Sequence, residues 1–71
     1  MNLVICVDNR GLEASLEARK IYQRLDDPRA EKVGMVRVVD ESGEDYLHPA
    51  SRFQPIRVEA QLEQRLFADA A

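Results

Sequence analysis

The residues best suited to chemistry lie in one short segment, RVVDESGEDYLHP, at positions 37–49. It contains four carboxylates, a tyrosine and a histidine: Asp40, Glu41, Glu44, Asp45, Tyr46 and His48. Paired carboxylates serve as general acid and base when a pocket separates their pKa values, and histidine serves as a base or a metal ligand. The segment therefore raises two alternatives, an active site or a hairpin turn with an acidic tip.

The local pattern favours the turn. Gly43 closes a short polar loop, DESG, between two strand-like runs, which is typical of a type I turn followed by a left-handed residue. Asp40 is expected to accept a hydrogen bond from a backbone amide two residues on, while Glu41 and Glu44 are expected to point into water. Carboxylates on such a tip are screened by solvent, so we predict that the cluster is architectural.

No other motif points to catalysis or to a cofactor. His48 is the only histidine and Cys6 the only cysteine, so a His/Cys metal site is not expected. Cys6 lies within an apolar run and is expected to be a core residue. The chain has no glycine-rich phosphate loop and no nucleophile elbow. The sequence predicts no enzyme, no catalytic residue, no metal and no cofactor.

Length and composition favour one small cytoplasmic domain. The chain has 71 residues, of which 45% are hydrophobic and 32% charged, with a net charge of −3. These values are ordinary for a folded domain, and the negative charge disfavours nucleic acid as a partner. The apolar run LVICV is too short for a signal-peptide core or a membrane span, and a single cysteine suits a reducing compartment. We expect a single domain over 1–71, without membrane association.

Strand patterns alternate with turn signals along most of the chain. NLVICVD predicts a strand buried on both faces, and MVRVVD and EDYLHP predict a hairpin. DDPRAEKVG predicts a short connecting helix, with Asp27 as cap, Pro28 at the first position and Gly34 after the last turn. ASRF predicts a tight turn that carries Phe53 onto the core, and QPIRV a short final strand. Residues 58–68 predict a C-terminal amphipathic helix.

The segment 12–25 is ambiguous by pattern alone. LEASLEARKIYQRL has good helix formers at helical spacing, whereas its second half, KIYQRL, also alternates like a strand. A helix over 12–25 would make the protein an α+β domain. A strand at 20–25 would leave 12–18 as a long exposed loop.

The segments KIYQRL and GMVRVVDESGEDYLHPASRF resemble a group of short bacterial and phage proteins. The group shares a K-x-Y strand and the motif (I/V)-D-E-S-G-E-D-Y-L-(Y/H)-P-x-x-x-F, and this chain has His48 where tyrosine is commoner. LHPASRF is also similar to the turn before the last strand of Src-homology-3-like (SH3-like) barrels. The resemblance covers about 20–56. It implies a strand at 20–25 and a mainly β, small SH3-like antiparallel barrel of about five strands over 2–57. It implies no catalytic residue.

The functional expectation is a non-enzymatic interaction module that binds a protein or peptide segment. Small barrels bind extended peptides through aromatic and proline surfaces between their loops. The candidate binding residues are an aromatic–proline set with an acidic rim: Tyr22, Tyr46, His48, Pro49, Phe53, Glu41, Glu44 and Asp45. The alternatives are a nucleic-acid-binding barrel, whose basic residues would be Arg19, Lys20, Arg24, Arg52 and Arg57, and an assembly protein that self-associates through an edge strand. The sequence predicts no particular oligomeric state.

Overall fold

The computed structural model describes residues 2–67, which form five strands and three helical segments. In chain order these are β1 (Asn2–Cys6), β2 (Ile21–Leu25), α1 (Pro28–Lys32), β3 (Met35–Val39), β4 (Asp45–Pro49), a 3-10 turn (Ala50–Arg52), β5 (Phe53–Ile56) and α2 (Ala60–Phe67). The predicted mainly β architecture is confirmed at this level.

All five strands belong to one antiparallel sheet, in the order β4-β3-β2-β1-β5. The first strand therefore lies in the interior of the sheet, between β2 and β5. Its apolar residues are continuous rather than alternating, as in strands that are buried on both faces. Leu3 and Val4 point to opposite faces and are both buried. The edges are β4 and β5, and no strand pairing joins them among the described residues.

The core lies on one face of this sheet. Its buried members come from four strands and from the loop between β1 and β2, which we call the first loop: Val4, Cys6, Leu16, Tyr22, Val38 and Phe53. The rings of Tyr22 and Phe53 meet edge to face at 6.5 Å, and His48 meets Phe53 in the same way at 6.3 Å. Side chains of the two edge strands, β4 and β5, thus contact each other.

The segment 12–25 contains a strand, and the helical alternative is wrong. Ile21–Leu25 pairs with β1 and β3, and Tyr22 on this strand is buried. Ile21–Arg24 pair with β1, and Arg24 and Leu25 pair with β3, and this pairing outweighs the helix propensity of the preceding residues. Residues 12–18 form a loop in which Ala14 is exposed and Leu16 is completely buried.

The connection between β2 and β3 was predicted in detail. The Asp27 side chain accepts a hydrogen bond from the Ala30 amide, Pro28 occupies the first helical position, and Gly34 has a φ of 77°. Gly43 in the β3–β4 hairpin likewise has a positive φ, 84°, as the turn prediction requires. The tight turn at ASRF is a 3-10 turn, after which Phe53 is buried.

The C-terminal helix is shorter and looser than predicted. It begins at Ala60 rather than 58 and is described to Phe67, so position 68 lies outside the described residues. None of its residues is buried, and Leu62 and Leu66 are 42% and 49% exposed. Its last turn approaches β2 and β3, where Leu66 and Phe67 border a shallow pocket with Lys20 and Gln23. No helix within 2–67 is long and apolar enough to cross a bilayer.

Candidate functional site

A buried polar cluster joins the turn of the β3–β4 hairpin to β4. Asp40 and His48 are 7% and 6% exposed, and Oδ2 of Asp40 lies 3.0 Å from Nε2 of His48. The other carboxylate oxygen accepts hydrogen bonds from the Ser42 amide at 2.9 Å and the Ser42 hydroxyl at 2.6 Å. Asp40 bonds the amide two residues on, as predicted. Its burial and its pairing with His48 were not predicted.

The charge of Asp40 is stabilised in this environment. Burial alone would raise the pKa of the Asp40 carboxyl, but the hydrogen bonds from Ser42 and His48 outweigh it and lower the pKa. A carboxylate only accepts hydrogen bonds, so Nε2 of His48 carries the proton. In the neutral ring Nδ1 therefore presents a lone pair.

The order of these three residues does not match a catalytic triad. A hydrolytic triad places the histidine between the carboxylate and the nucleophile, so that the ring takes the hydroxyl proton. Here the Asp40 carboxylate lies in the middle and Ser42 donates directly to it. The Ser42 hydroxyl closes the turn, and no hydrogen bond joins it to the His48 ring within residues 2–67, so the proton relay of a triad is not assembled here.

Nδ1 of His48 is the one ring atom that remains available for recognition. No hydrogen bond to Nδ1 occurs within residues 2–67. In the same range no completely buried side-chain nitrogen or oxygen lacks a partner. Nδ1 must therefore touch solvent, although His48 as a whole is 6% exposed.

Glu41 was expected to point into water, and this expectation is wrong. Its carboxylate accepts a hydrogen bond from the buried Tyr22 hydroxyl and another from Lys20 Nζ at 2.6 Å. The Tyr22 hydroxyl in turn accepts from the Glu17 amide at 2.7 Å. Burial, followed by the bond to Glu41, raises the pKa of Tyr22, while Lys20 and then Tyr22 lower the pKa of Glu41. Glu41 thus connects the hairpin tip to β2.

The aromatic residues that were predicted to form one binding surface are split, because some are buried in the core and another is exposed. Tyr22 and Phe53 are 3% and 6% exposed and are core residues, because both rings face the inner side of the sheet. Tyr46 is 51% exposed. It pairs with the fully buried Val38 and so points to the core side of the sheet, yet no strand formed by residues 2–67 lies beyond β4 to cover it.

The predicted acidic rim is largely neutralised. Glu41 pairs with Lys20, and Asp45 pairs with Arg37 at 3.0 Å. Glu44 makes no ion pair with a described residue, and its backbone amide donates to the Ser42 hydroxyl. Of the three rim carboxylates, Glu44 alone keeps an uncompensated charge.

A groove runs past both the buried Asp40–Ser42–His48 cluster and the exposed Tyr46. It has a volume of about 470 Å³ and runs between the first loop and β4. Its lining combines apolar and polar side chains from the loop, the hairpin and the edge strand: Leu12, Ser15, Asp40, Ser42, Tyr46, Leu47, His48 and Pro49. Tyr46, His48 and Pro49 were predicted as binding residues. Leu12 and Ser15 were missed because only the folded loop brings them beside β4, where the Glu41 amide donates to the Ser15 carbonyl at 2.9 Å.

The basic residues considered for nucleic-acid binding are mostly paired. Lys20 bonds Glu41, Arg24 bonds Asp26 and Glu31, and Arg52 bonds Asp8, at distances between 2.6 and 3.1 Å. Arg19 and Arg57 have no ion pair with a described residue, and Arg57 lines a separate pocket of about 450 Å³ beside β1 and β5. Within 2–67 no group of three or more His, Cys, Asp or Glu side chains is arranged to hold a metal ion. No protein-family model, curated protein or solved structure matches this chain.

Proposed function

We propose that this protein is a non-enzymatic interaction module that binds an extended segment of a protein partner in the groove between the first loop and β4. The observation that carries the proposal is Tyr46. It belongs to the core side of the sheet and yet leaves half of its surface in solvent beside the open groove. Tyrosine is enriched at binding interfaces because it offers a large apolar body and a polar tip.

The composition of the groove supports recognition of a peptide rather than turnover of a substrate. Its volume lies within the usual range for ligand sites, about 300–1,000 Å³. Tyr46, Leu12 and Pro49 supply apolar contact, and Nδ1 of His48 supplies a polar contact in a fixed position because Asp40 holds the ring. The Ser42 hydroxyl is already committed to Asp40. These residues can bind and orient a segment, and none is placed to act as a nucleophile.

An SH3-like barrel is the fold we propose for this function. The strand order, the 3-10 turn between β4 and β5 and the contact of His48 with Phe53 support a strongly curved sheet. The resemblance of residues 20–56 to the short bacterial and phage proteins supports the same reading. A binding groove between loops is typical of small barrels, although a fold alone does not fix a function.

A library of random 12-residue peptides displayed on phage tests the proposal with the purified protein as bait. Peptides that survive selection should bind the Tyr46→Ala variant at least tenfold more weakly than the unchanged protein. Leu62→Ala is the matched control, because Leu62 is similarly exposed but lies on α2, outside the groove. Circular dichroism establishes that both variants fold. Selection without enrichment, or equal binding to Tyr46→Ala, would refute the proposal.

A further inference from the structure

The two edges of the sheet differ in the backbone groups that they offer. Along the β3–β4 ladder the register runs from Val39 opposite Asp45 to Met35 opposite Pro49. Just beyond one end the Asp40 amide donates to Glu44, and just beyond the other the Ala50 amide donates to Gly34, at 3.1 and 2.9 Å. In an antiparallel ladder, residue pairs that exchange backbone hydrogen bonds alternate with pairs that do not. The hydrogen bonds at the two ends of this ladder agree on which pairs are hydrogen-bonded, and this sets the phase of the alternation.

This phase assigns the direction of every backbone group on β4. The amides and carbonyls of Tyr46 and His48 face β3, whereas those of Asp45 and Leu47 face away from the sheet. Pro49 also faces outward and offers only a carbonyl. No hydrogen bond within the described chain uses the outward groups of Asp45 or Leu47. The β4 edge therefore presents unpaired donors and acceptors.

The β5 edge presents no free donor. The Val7 amide donates to the Arg52 carbonyl at 2.8 Å, which places the backbone groups of Phe53 and Pro55 on the outward side of β5. The Phe53 amide donates to the Ala50 carbonyl in the 3-10 turn, and proline has no amide hydrogen. An edge closed by proline and by a local turn resists pairing with another strand. Of the two edges, β4 is the one that can accept a strand.

We propose that the partner segment binds by strand addition, as a sixth strand alongside β4 that pairs with the backbone of Asp45 and Leu47. The inference rests on the proposed function and specifies how the segment is held. Alternate side chains of an added strand would lie on the core side of the sheet, where they would cover Tyr46 and extend over the groove. Backbone pairing would supply affinity, and the groove would select the side chains.

The occupant fitted by this edge is an extended, basic segment of another protein. Glu44 adjoins β4 and has no ion pair among the described residues, so a lysine or arginine near the end of the added strand would meet an uncompensated carboxylate. A second copy of this chain fits less well. Each copy carries a net charge of −3, and pairing β4 with β4 would engage five residues a side, far fewer than the roughly 20–30 of stable interfaces.

Amide hydrogen exchange of the unchanged protein gives the direct test. The strongest peptide from the phage selection is added at saturating concentration, and exchange is followed residue by residue by NMR. Strand addition predicts that the amides of Asp45 and Leu47 become at least tenfold more protected, whereas exposed amides of α2 stay unchanged. A bound peptide that leaves Asp45 and Leu47 unprotected would overturn strand addition while the proposed function stands.

Proline at position 47 gives an independent test, because it removes an outward amide without breaking the β3–β4 ladder. Leu47→Pro should weaken binding of the selected peptide at least tenfold, and Leu47→Val, which keeps the amide, should weaken it less. Ala60→Pro is the control for introducing a proline, since Ala60 occupies the first position of α2, where proline is tolerated. Equal affinity of Leu47→Pro and the unchanged protein would overturn the inference. Dimerisation of the unchanged protein that Leu47→Pro abolishes would assign the edge to a second copy and overturn it as well.

Discussion

Replacing Leu16 with alanine tests how the first loop is held against the sheet. Leu16 is completely buried although it lies in a loop, and it belongs to the same core cluster as Tyr22 and Val38. The change removes three carbon atoms, which at about 0.8 kcal/mol each amounts to roughly 2.4 kcal/mol of lost burial. The cavity left behind adds to this, so the expected loss of unfolding free energy is about 3 kcal/mol.

A loss of this size is large for so small a domain. At roughly 0.05–0.15 kcal/mol per residue, a chain of this length has a total stability of about 4–11 kcal/mol. Urea denaturation followed by circular dichroism measures the change. With a slope near 1 kcal/mol per molar urea, the midpoint should fall by about 3 M.

Ala14→Asp is the matched control, two positions away in the same loop. Ala14 is exposed, so a carboxylate there stays in water and the stability should change by less than about 0.5 kcal/mol. A Leu16→Ala variant destabilised by less than 1 kcal/mol would show that the loop is not anchored through this side chain. A large loss in Ala14→Asp would contradict the loop itself and restore the helical reading.

The hairpin supports three further predictions, all measurable by urea denaturation. Asp40→Ala should lower the free energy of unfolding by about 3 kcal/mol, because it leaves the buried His48 and the turn amide without their partner. Glu44→Ala, the control, should lower it by less than about 0.5 kcal/mol. Similar losses in the two variants would mean that the buried pair is not stabilising. Gly43→Val should cost about 1–2 kcal/mol through its positive φ alone, since nothing lies within 4 Å of the added Cβ, and an unchanged midpoint would contradict the turn geometry. The pKa values of Asp40 and Glu41 in the folded chain are lowered from their ordinary 3.8 and 4.5, so in acid the folded chain binds fewer protons than the unfolded chain. The stability that these two carboxylates contribute should be complete above their ordinary pKa values and should be lost as the pH falls through their lowered pKa values. A midpoint that stays constant from pH 7 to pH 3 would contradict this.

Local signals predicted the strands and turns where each residue's role depended on its neighbours in sequence. Asp27, Pro28 and Gly34 fixed the α1 connection, and Gly43 fixed the hairpin, because caps and positive φ values are local requirements. The strand at 21–25 could not be derived from its own residues, since its pairing with β1 and β3 decides the outcome.

The candidate site was harder to predict because its key contacts are long-range. Asp40 and Glu41 read as solvated turn residues, and only the folded chain brings His48 and Tyr22 to them. Tyr46 was correctly singled out, while Leu12 on the far side of the groove carries no signal in sequence. Short-range patterns thus identified one wall of the groove and missed the other.

The position of β1 in the middle of the sheet has a consequence for the order of folding. This strand is synthesised first, yet Leu3 pairs with Ile56, so the sheet cannot be completed until β5 has left the ribosome. The hairpin of β3 and β4 closes only a short turn and can form early, whereas bringing β5 to β1 requires closing the long segment between Leu3 and Ile56. During synthesis the apolar strand β1 therefore remains unpaired on its β5 side until β5 has emerged. We expect the docking of β5 to be the slow step of folding, with the aggregation risk concentrated in the time before it.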